Sequence, residues 1–257
     1  MSALAELIAH RDLIRELVVR ALKVRYRRSA IGFLWTMLHP LIMMLVLSLV
    51  FSQVFRFQVP NYALYALSGI VFWQFFSQTV TSCLHSLKGN ARLLSKLPIP
   101  KAVFPIATVL SGLLNLGFAL VPLLGIAIVT GHAPTASIVF LPVGILLVGL
   151  MALGAGLLLA PLSVIFSDTI EVIAIVLGLL MYLTPVFYPR SIVPEQLRWA
   201  VRLNPMAAAL EVFRAPIVDH TMPATADLAV ATAAALVLLA VGGWFFAVSS
   251  RRLALYL

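Results

Sequence analysis

Hydrophobic positions run along the chain in long blocks, separated by short clusters of Lys and Arg and by prolines. Six blocks are long enough to cross a hydrocarbon core of about 30 Å, which takes roughly 20 helical residues. They are Ala30–Phe55, Tyr62–Leu84, Val103–Thr130, Ser137–Phe166, Ile170–Tyr188 and Leu228–Ser249. The pattern ahead of the first block is different. Asp12, Glu16, Arg20, Lys23 and Arg27 recur at steps of four, four, three and four, while Ile14, Leu17, Val18, Ala21 and Leu22 fall on the other side. That spacing predicts an amphipathic helix within residues 1–29, lying along the lipid surface with its basic face in water. Between the fifth and sixth blocks, Pro185, Pro189, Pro194, Pro205 and Pro216 divide the chain into segments too short to span. Two of them, Glu195–Leu203 and Met206–Ala215, read as interfacial or re-entrant helices. The expected fold is an all-α integral membrane protein forming a single domain over 1–257. It has a cytosolic amphipathic interface helix (1–29), spans one to five (30–188), short outer-side re-entrant helices (189–218) and a sixth transmembrane helix (228–249).

Composition agrees with this pattern. Of 257 residues, 62% are hydrophobic and 11% charged, against about 25% charged in soluble domains. The net charge of +9 does not imply nucleic acid, because the cations sit between apolar blocks rather than over a soluble surface. Thirteen of the eighteen Lys and Arg residues fall on the face that holds the termini, counting the N-terminal segment, the second connection, Arg251 and Arg252. The other five are Arg56, Arg190, Arg198, Arg202 and Arg214. The positive-inside bias then puts both termini in the cytosol. The single Cys83 excludes a disulfide framework within one chain, and no cleavable signal peptide is expected at the start.

Candidate chemistry is sparse. Segment 86–101, SLKGNARLLSKLPIPK, has four cations and no acid, with Arg92 and Lys96 four apart. It is either a positive-inside anchor or a short cytosolic helix that docks on a partner. Asp168 and Glu171, in the turn before the fifth span, either cap that helix or meet a basic surface. Ala152, Gly156 and Ala160 recur every four positions, which suits close packing inside the bundle or between subunits. An interfacial aromatic belt explains Tyr62 and Tyr188. Phe72, Trp73, Phe75 and Phe76 lie deeper, and either pack or line a path for sugar rings. There is no phosphate-binding Gly-Lys loop, and the five histidines are too dispersed for a metal set. No charge sits well inside a span where an ion-coupled transporter would place one. A chain that moves something without such residues needs an energised partner.

Several stretches together resemble a known family. They are RYRRSAIGFLWTMLHP (25–40), SGIVFWQFF in the second span, KLPIPKAVFP (96–105), FSDTIEV, TPVFYP and LNPM, in that order and spacing. The chain is similar to the membrane subunit of type-2 ABC exporters, and more narrowly to the permeases exporting O-antigen, capsule or teichoic-acid polymers. Ser167 departs from the Arg that the family commonly has before the Asp. The resemblance implies a homodimer above two separate ATPase chains in the bacterial cytoplasmic membrane. ATP and Mg²⁺ would bind those partners, and no cofactor this chain. It implies that Arg20, Lys23, Arg92, Lys96 and Lys101 lie on the surfaces facing the ATPase. It also implies a path at the dimer interface lined by Trp35, Tyr62, Phe72, Trp73, Phe75, Phe76 and Tyr182. The implied cargo is a polysaccharide on a lipid carrier, typically undecaprenyl diphosphate, most of all of the O-antigen type. Two alternatives stay open: a permease of the same fold for a small drug or lipid, and a non-ABC membrane component of polysaccharide assembly.

Overall fold

A computed structural model describes residues 9–27, 31–51, 60–96, 99–133 and 135–250, and every regular element among them is helical. The principal helices are α1 (Arg11–Tyr26), α2 (Leu34–Leu49), α3 (Tyr62–Ser86), α4 (Val103–Val129), α5 (Leu141–Ile165), α6 (Thr169–Leu183), α7 (Pro205–Val218) and α8 (Thr225–Ser250). Arg28, Arg56, Arg251, Arg252 and residues 52–55 of the expected first span lie outside the described residues.

Among the described residues, three helices are long and apolar enough to cross a membrane: α4, the run Ala136–Ile165 that contains α5, and α8. The other three apolar blocks are helical but fall short of that measure in length or hydropathy. The described helix within the first expected span, α2, has 16 residues and α6, within the fifth, has 15, about 24 and 22 Å of helix. At the start of the first, Gly32 turns the chain with φ +56°, a conformation that glycine adopts without strain. At the end of the fifth, Pro185 forces Thr184 into extended backbone (ψ 133°) and stops the helix. Thr184 returns its hydroxyl hydrogen to Leu180 O at 2.8 Å. The second block is a helix of 25 residues, but Gln74, Gln78 and a series of Ser and Thr lower its hydropathy.

α3 is the central post. It packs against α2, α4, α5, α6 and α7 and is buried along most of its length. Close approach needs small residues at the crossings. A Cβ on Gly242 of α8 would collide with Gly154 O of α5, and one on Gly154 with the α8 backbone at Leu238. A Cβ on Gly156 would come within 2.7 Å of Cys83 Sγ. Ala152 and Ala160 are likewise buried, so this stripe packs inside the bundle. α7 starts where Asn204 accepts a hydrogen bond from Met206 N at 2.9 Å and Pro205 supplies the first turn.

Contacts define two ends. At one, α1 lies across the start of α4, Ser163 donates to Leu84 O at 2.6 Å, and Lys101 Nζ reaches Ser250 O at 2.6 Å. At the other, Asn61 bonds His132 at 2.8 Å, Ser137 donates to Pro216 O at 3.1 Å, and Arg190 pairs with Asp227 at 3.0 Å. The basic segment after α3 holds only a single turn of α-helix, Ala91–Leu94. Arg92 lies in that turn, whereas Lys96 falls beyond it, so the two do not share a regular helical face.

Candidate functional site

A polar cleft of about 410 Å³ opens beneath α1, enclosed by α1, α2, α3 and α4. In a chain this apolar its lining is unusual. α3 contributes Gln74, Gln78, Thr79 and Ser82; α4 contributes Thr108, Ser111 and Asn115; Arg25 and Thr36 stand at its edge. On each helix these positions recur at three and four, which places them on one face. Gly112 lets the two faces approach, since a Cβ there would collide with Thr79 Oγ1.

Side chains from the joint between α1 and α2 close the cleft. Arg25 Nη2 donates to Gln78 Oε1 at 2.9 Å. Tyr26 OH donates to Asn115 Oδ1 at 2.5 Å and lies 2.9 Å from Thr36 Oγ1. Gln74 Nε2 and His39 Nδ1 are 2.6 Å apart. Thr79 and Ser82 make no side-chain hydrogen bond among the described residues, so their hydroxyls remain available to a guest. A neutral set of donors and acceptors beside one guanidinium suits a polyhydroxylated or phosphorylated group. Among the described residues no three His, Cys, Asp or Glu could hold a metal ion.

The aromatic residues separate into two groups. Phe72 is fully buried against Phe213, with ring centroids 5.6 Å apart. Trp73 and Phe76 pack on each other at 6.0 Å, and Tyr62 donates to Phe187 O at 2.9 Å. Phe75 is largely buried and lines the cleft. All five are largely buried within the single subunit, on α3, which still exposes Gln78, Ser82 and His85. Trp35 and Tyr182 are 52% and 68% exposed. They stand on α2 and α6, whose outward faces are apolar and uncovered.

Arg20, Lys23, Arg92 and Lys96 are exposed, and a groove joins Arg20 to Asn90 beside the Ala91–Leu94 turn. Lys101 is different. Its ammonium binds Ser250 O at the C-terminal end of α8, where a cation is favoured, and burial lowers its pKa. Asp168 and Glu171 are both exposed, with Asp168 accepting from Ser167 Oγ at 3.1 Å. The cleft residues Gln74, Gln78, Thr79, Ser82, Ser111 and Asn115 were not among those singled out in the sequence. Their signal was the polar spacing within two otherwise apolar blocks.

Known proteins match this chain over most of its length. The ABC-2 type transporter family matches residues 12–218. The O-antigen export system permease protein RfbA of Myxococcus xanthus is 33% identical over 249 residues, covering 96% of this chain and 95% of that protein. An O-antigen export permease of Klebsiella pneumoniae is 28% identical over 205 residues, with 79% of each chain covered. The capsule polysaccharide export inner-membrane protein CtrC of Neisseria meningitidis serogroup A is 26% identical over 217 residues, covering 83% and 82%. With a family match running from the amphipathic helix to the end of α7 and 33% identity across almost the whole of one relative, the chain belongs to the ABC-2 type transporter family of membrane proteins.

Proposed function

We propose that this chain is the permease subunit of an ATP-driven exporter that carries a lipid-linked polysaccharide of the O-antigen type across the cytoplasmic membrane. The observation that carries the reading is the near full-length similarity to an O-antigen export permease. In this reading α2, α3, α4, α5, α6 and α8 are the six membrane passes, and the α1 end faces the cytosol. The excess of cations at the α1 end supports that orientation. Exposed Arg20, Lys23, Arg92 and Lys96 meet the ATPase, which supplies ATP and Mg²⁺ chemistry; Asp168 and Glu171 lie on the same side. The uncovered apolar faces of α2 and α6 meet a second copy, with Trp35 and Tyr182 toward the path. The polar cleft under α1 accepts the polar part of the cargo.

Depleting the chain and analysing glycan at the cell surface and inside tests this. One surface polymer is expected to disappear while its lipid-linked form accumulates on the cytosolic side. Normal surface glycan with no internal build-up, in a strain without a paralogue, would overturn the reading. The similarity to CtrC gives a second reading, capsule export, and the identity of the accumulated polymer decides between them.

A further inference from the structure

Residues 184–188, which follow α6, form no helix or strand, yet four of their carbonyls and that of Leu183 at the end of α6 are held by side chains from α3, α7 and the residue before α7. Asn204 Nδ2 donates to Leu183 O at 3.2 Å. Arg214 Nη1 donates to Pro185 O at 3.1 Å and Nη2 to Val186 O at 3.0 Å. Tyr62 OH donates to Phe187 O and Tyr65 OH to Tyr188 O, each at 2.9 Å. Arg214 is the keystone. It is 1% exposed, its Nε donates to Ser68 Oγ at 3.2 Å, and its guanidinium stacks 3.8 Å from the centroid of the Tyr65 ring. Glu211 lies 3.7 Å away and shares its charge with Arg190 at 3.6 Å. Gly69 admits the arrangement, because a Cβ there would collide with Val186 O and with the guanidinium.

The rest of α6 is held far less. Leu177 is its only buried residue, and Val172, Ile175, Val176 and Leu179 are exposed. At its other end no side chain caps the helix, and Thr169 Oγ1 to Leu162 O, at 3.2 Å, is the one side-chain bond from its first turn among the described residues. Irregular backbone in an apolar setting must have its carbonyls satisfied. Satisfaction by a bidentate buried guanidinium also fixes position, since a planar fork binds two carbonyls in one geometry only. Pinned at one end and thinly packed within its own subunit, α6 can move against that bundle by turning about the pinned end, carrying with it whatever its outer face meets.

We propose that Arg214 is a positioning residue of the transport cycle: with Tyr62, Tyr65 and Asn204 it fixes segment 184–188 as a pivot, about which α6 swings. Displacement therefore grows from Leu183 toward Asp168. The proposal rests on the reading that this chain works with an ATPase, but not on which polymer is carried.

The test uses the full-length permease with its ATPase in lipid nanodiscs, in a Cys83→Ser background. Nitroxide pairs are placed at exposed sites, Leu183→Cys with Val230→Cys near the pivot, and Val172→Cys with Val248→Cys at the other end. Labelled subunits are diluted into unlabelled ones, and pulsed dipolar distances are read with and without trapped nucleotide. The Val172–Val248 distribution is expected to shift, while the Leu183–Val230 distribution stays in place. Arg214→Gln is expected to broaden the Leu183–Val230 distribution and to cut export about tenfold or more, the loss that goes with charge-assisted bonds, while ATP hydrolysis persists. Should that variant fail to accumulate, Tyr65→Phe frees Tyr188 O, keeps Arg214, and gives the same broadening. A Leu183–Val230 shift as large as the Val172–Val248 shift would overturn the pivot. So would a static Val172–Val248 distance during ATP turnover, or variants that leave the Leu183–Val230 distribution unchanged. Loss of the polysaccharide reading would change none of these distances.

Discussion

The joint between α1 and the bundle offers a quantitative test. Tyr26 OH donates its one hydrogen to Asn115 Oδ1 at 2.5 Å, and Thr36 Oγ1 at 2.9 Å is then placed to donate back. Tyr26→Phe removes both bonds while keeping the ring. Interhelical hydrogen bonds in membrane bundles average about 0.6 kcal/mol each and reach about 1.7 kcal/mol. Two such bonds set the expected loss at about 1 kcal/mol. Asn115→Ala removes one of them and also the bond from Asn115 Nδ2 to Ser111 O at 3.0 Å, so its own cost is similar. The pair shares one bond, and the double variant should recover its energy as a coupling of about 0.6 kcal/mol. Reversible unfolding in mixed detergent micelles, with the four proteins compared at one lipid ratio, measures the cycle. Strict additivity, with coupling near zero, would mean that Tyr26 does not tether α1 to α4, and the cleft would lose one of its walls.

Other perturbations separate neighbouring residues. Gly242→Val should abolish accumulation in the membrane, because its Cβ meets Gly154 O, whereas Gly243→Val, facing open space, should accumulate normally; size-exclusion profiles of a fluorescent fusion distinguish them. Phe72→Ala should cost about 3–5 kcal/mol as a core truncation and lower abundance. Trp35→Ala with Tyr182→Ala should leave abundance intact and block export, read as surface polymer per permease. Arg92→Glu with Lys96→Glu should lose the ATPase in co-purification, while Lys101→Met should keep it and lower stability by about 1 kcal/mol, since its ammonium satisfies Ser250 O.

Much of the helical framework could be read from hydropathy, because a block of apolar residues without charge has few other solutions. The start of α4 at Val103 and the start of α3 at Tyr62 match the sequence reading residue for residue. Hydropathy failed where apolar residues continue past a backbone break. Val186 and Phe187 extend the fifth block, but Pro185 ends its helix. A single sequence does not say which helix is central, so it does not show that the aromatic run of α3 is largely buried within the subunit. The cleft was hidden for a related reason. Thr108, Ser111 and Asn115 carry meaning only once α3 and α4 are neighbours, and that adjacency comes from the fold. Arg214 had a weak signal, one cation within the apolar stretch Met206–Val218, three residues after Glu211.

The two polar regions of this chain differ in how far their hydrogen-bonding capacity is used, and that difference separates scaffold from site. Around Arg214 each guanidinium nitrogen has an acceptor and each neighbouring carbonyl a donor. That network commits a donor on every Arg214 guanidinium nitrogen to the protein itself, and its value lies in holding a shape. In the cleft, Thr79 and Ser82 have no side-chain partner among the described residues and Gln78 uses its carbonyl on Arg25, leaving its amide hydrogens. Unsaturated groups in an apolar bundle are costly unless water or a ligand meets them. Filling the cleft with carbon therefore has a definite expected outcome. Ser82→Val with Thr79→Val should be neutral or stabilising to the subunit, since no intramolecular bond is lost, yet should reduce export. Variants that are less stable and export normally would show those hydroxyls to be structural, and the cleft would no longer be the candidate site.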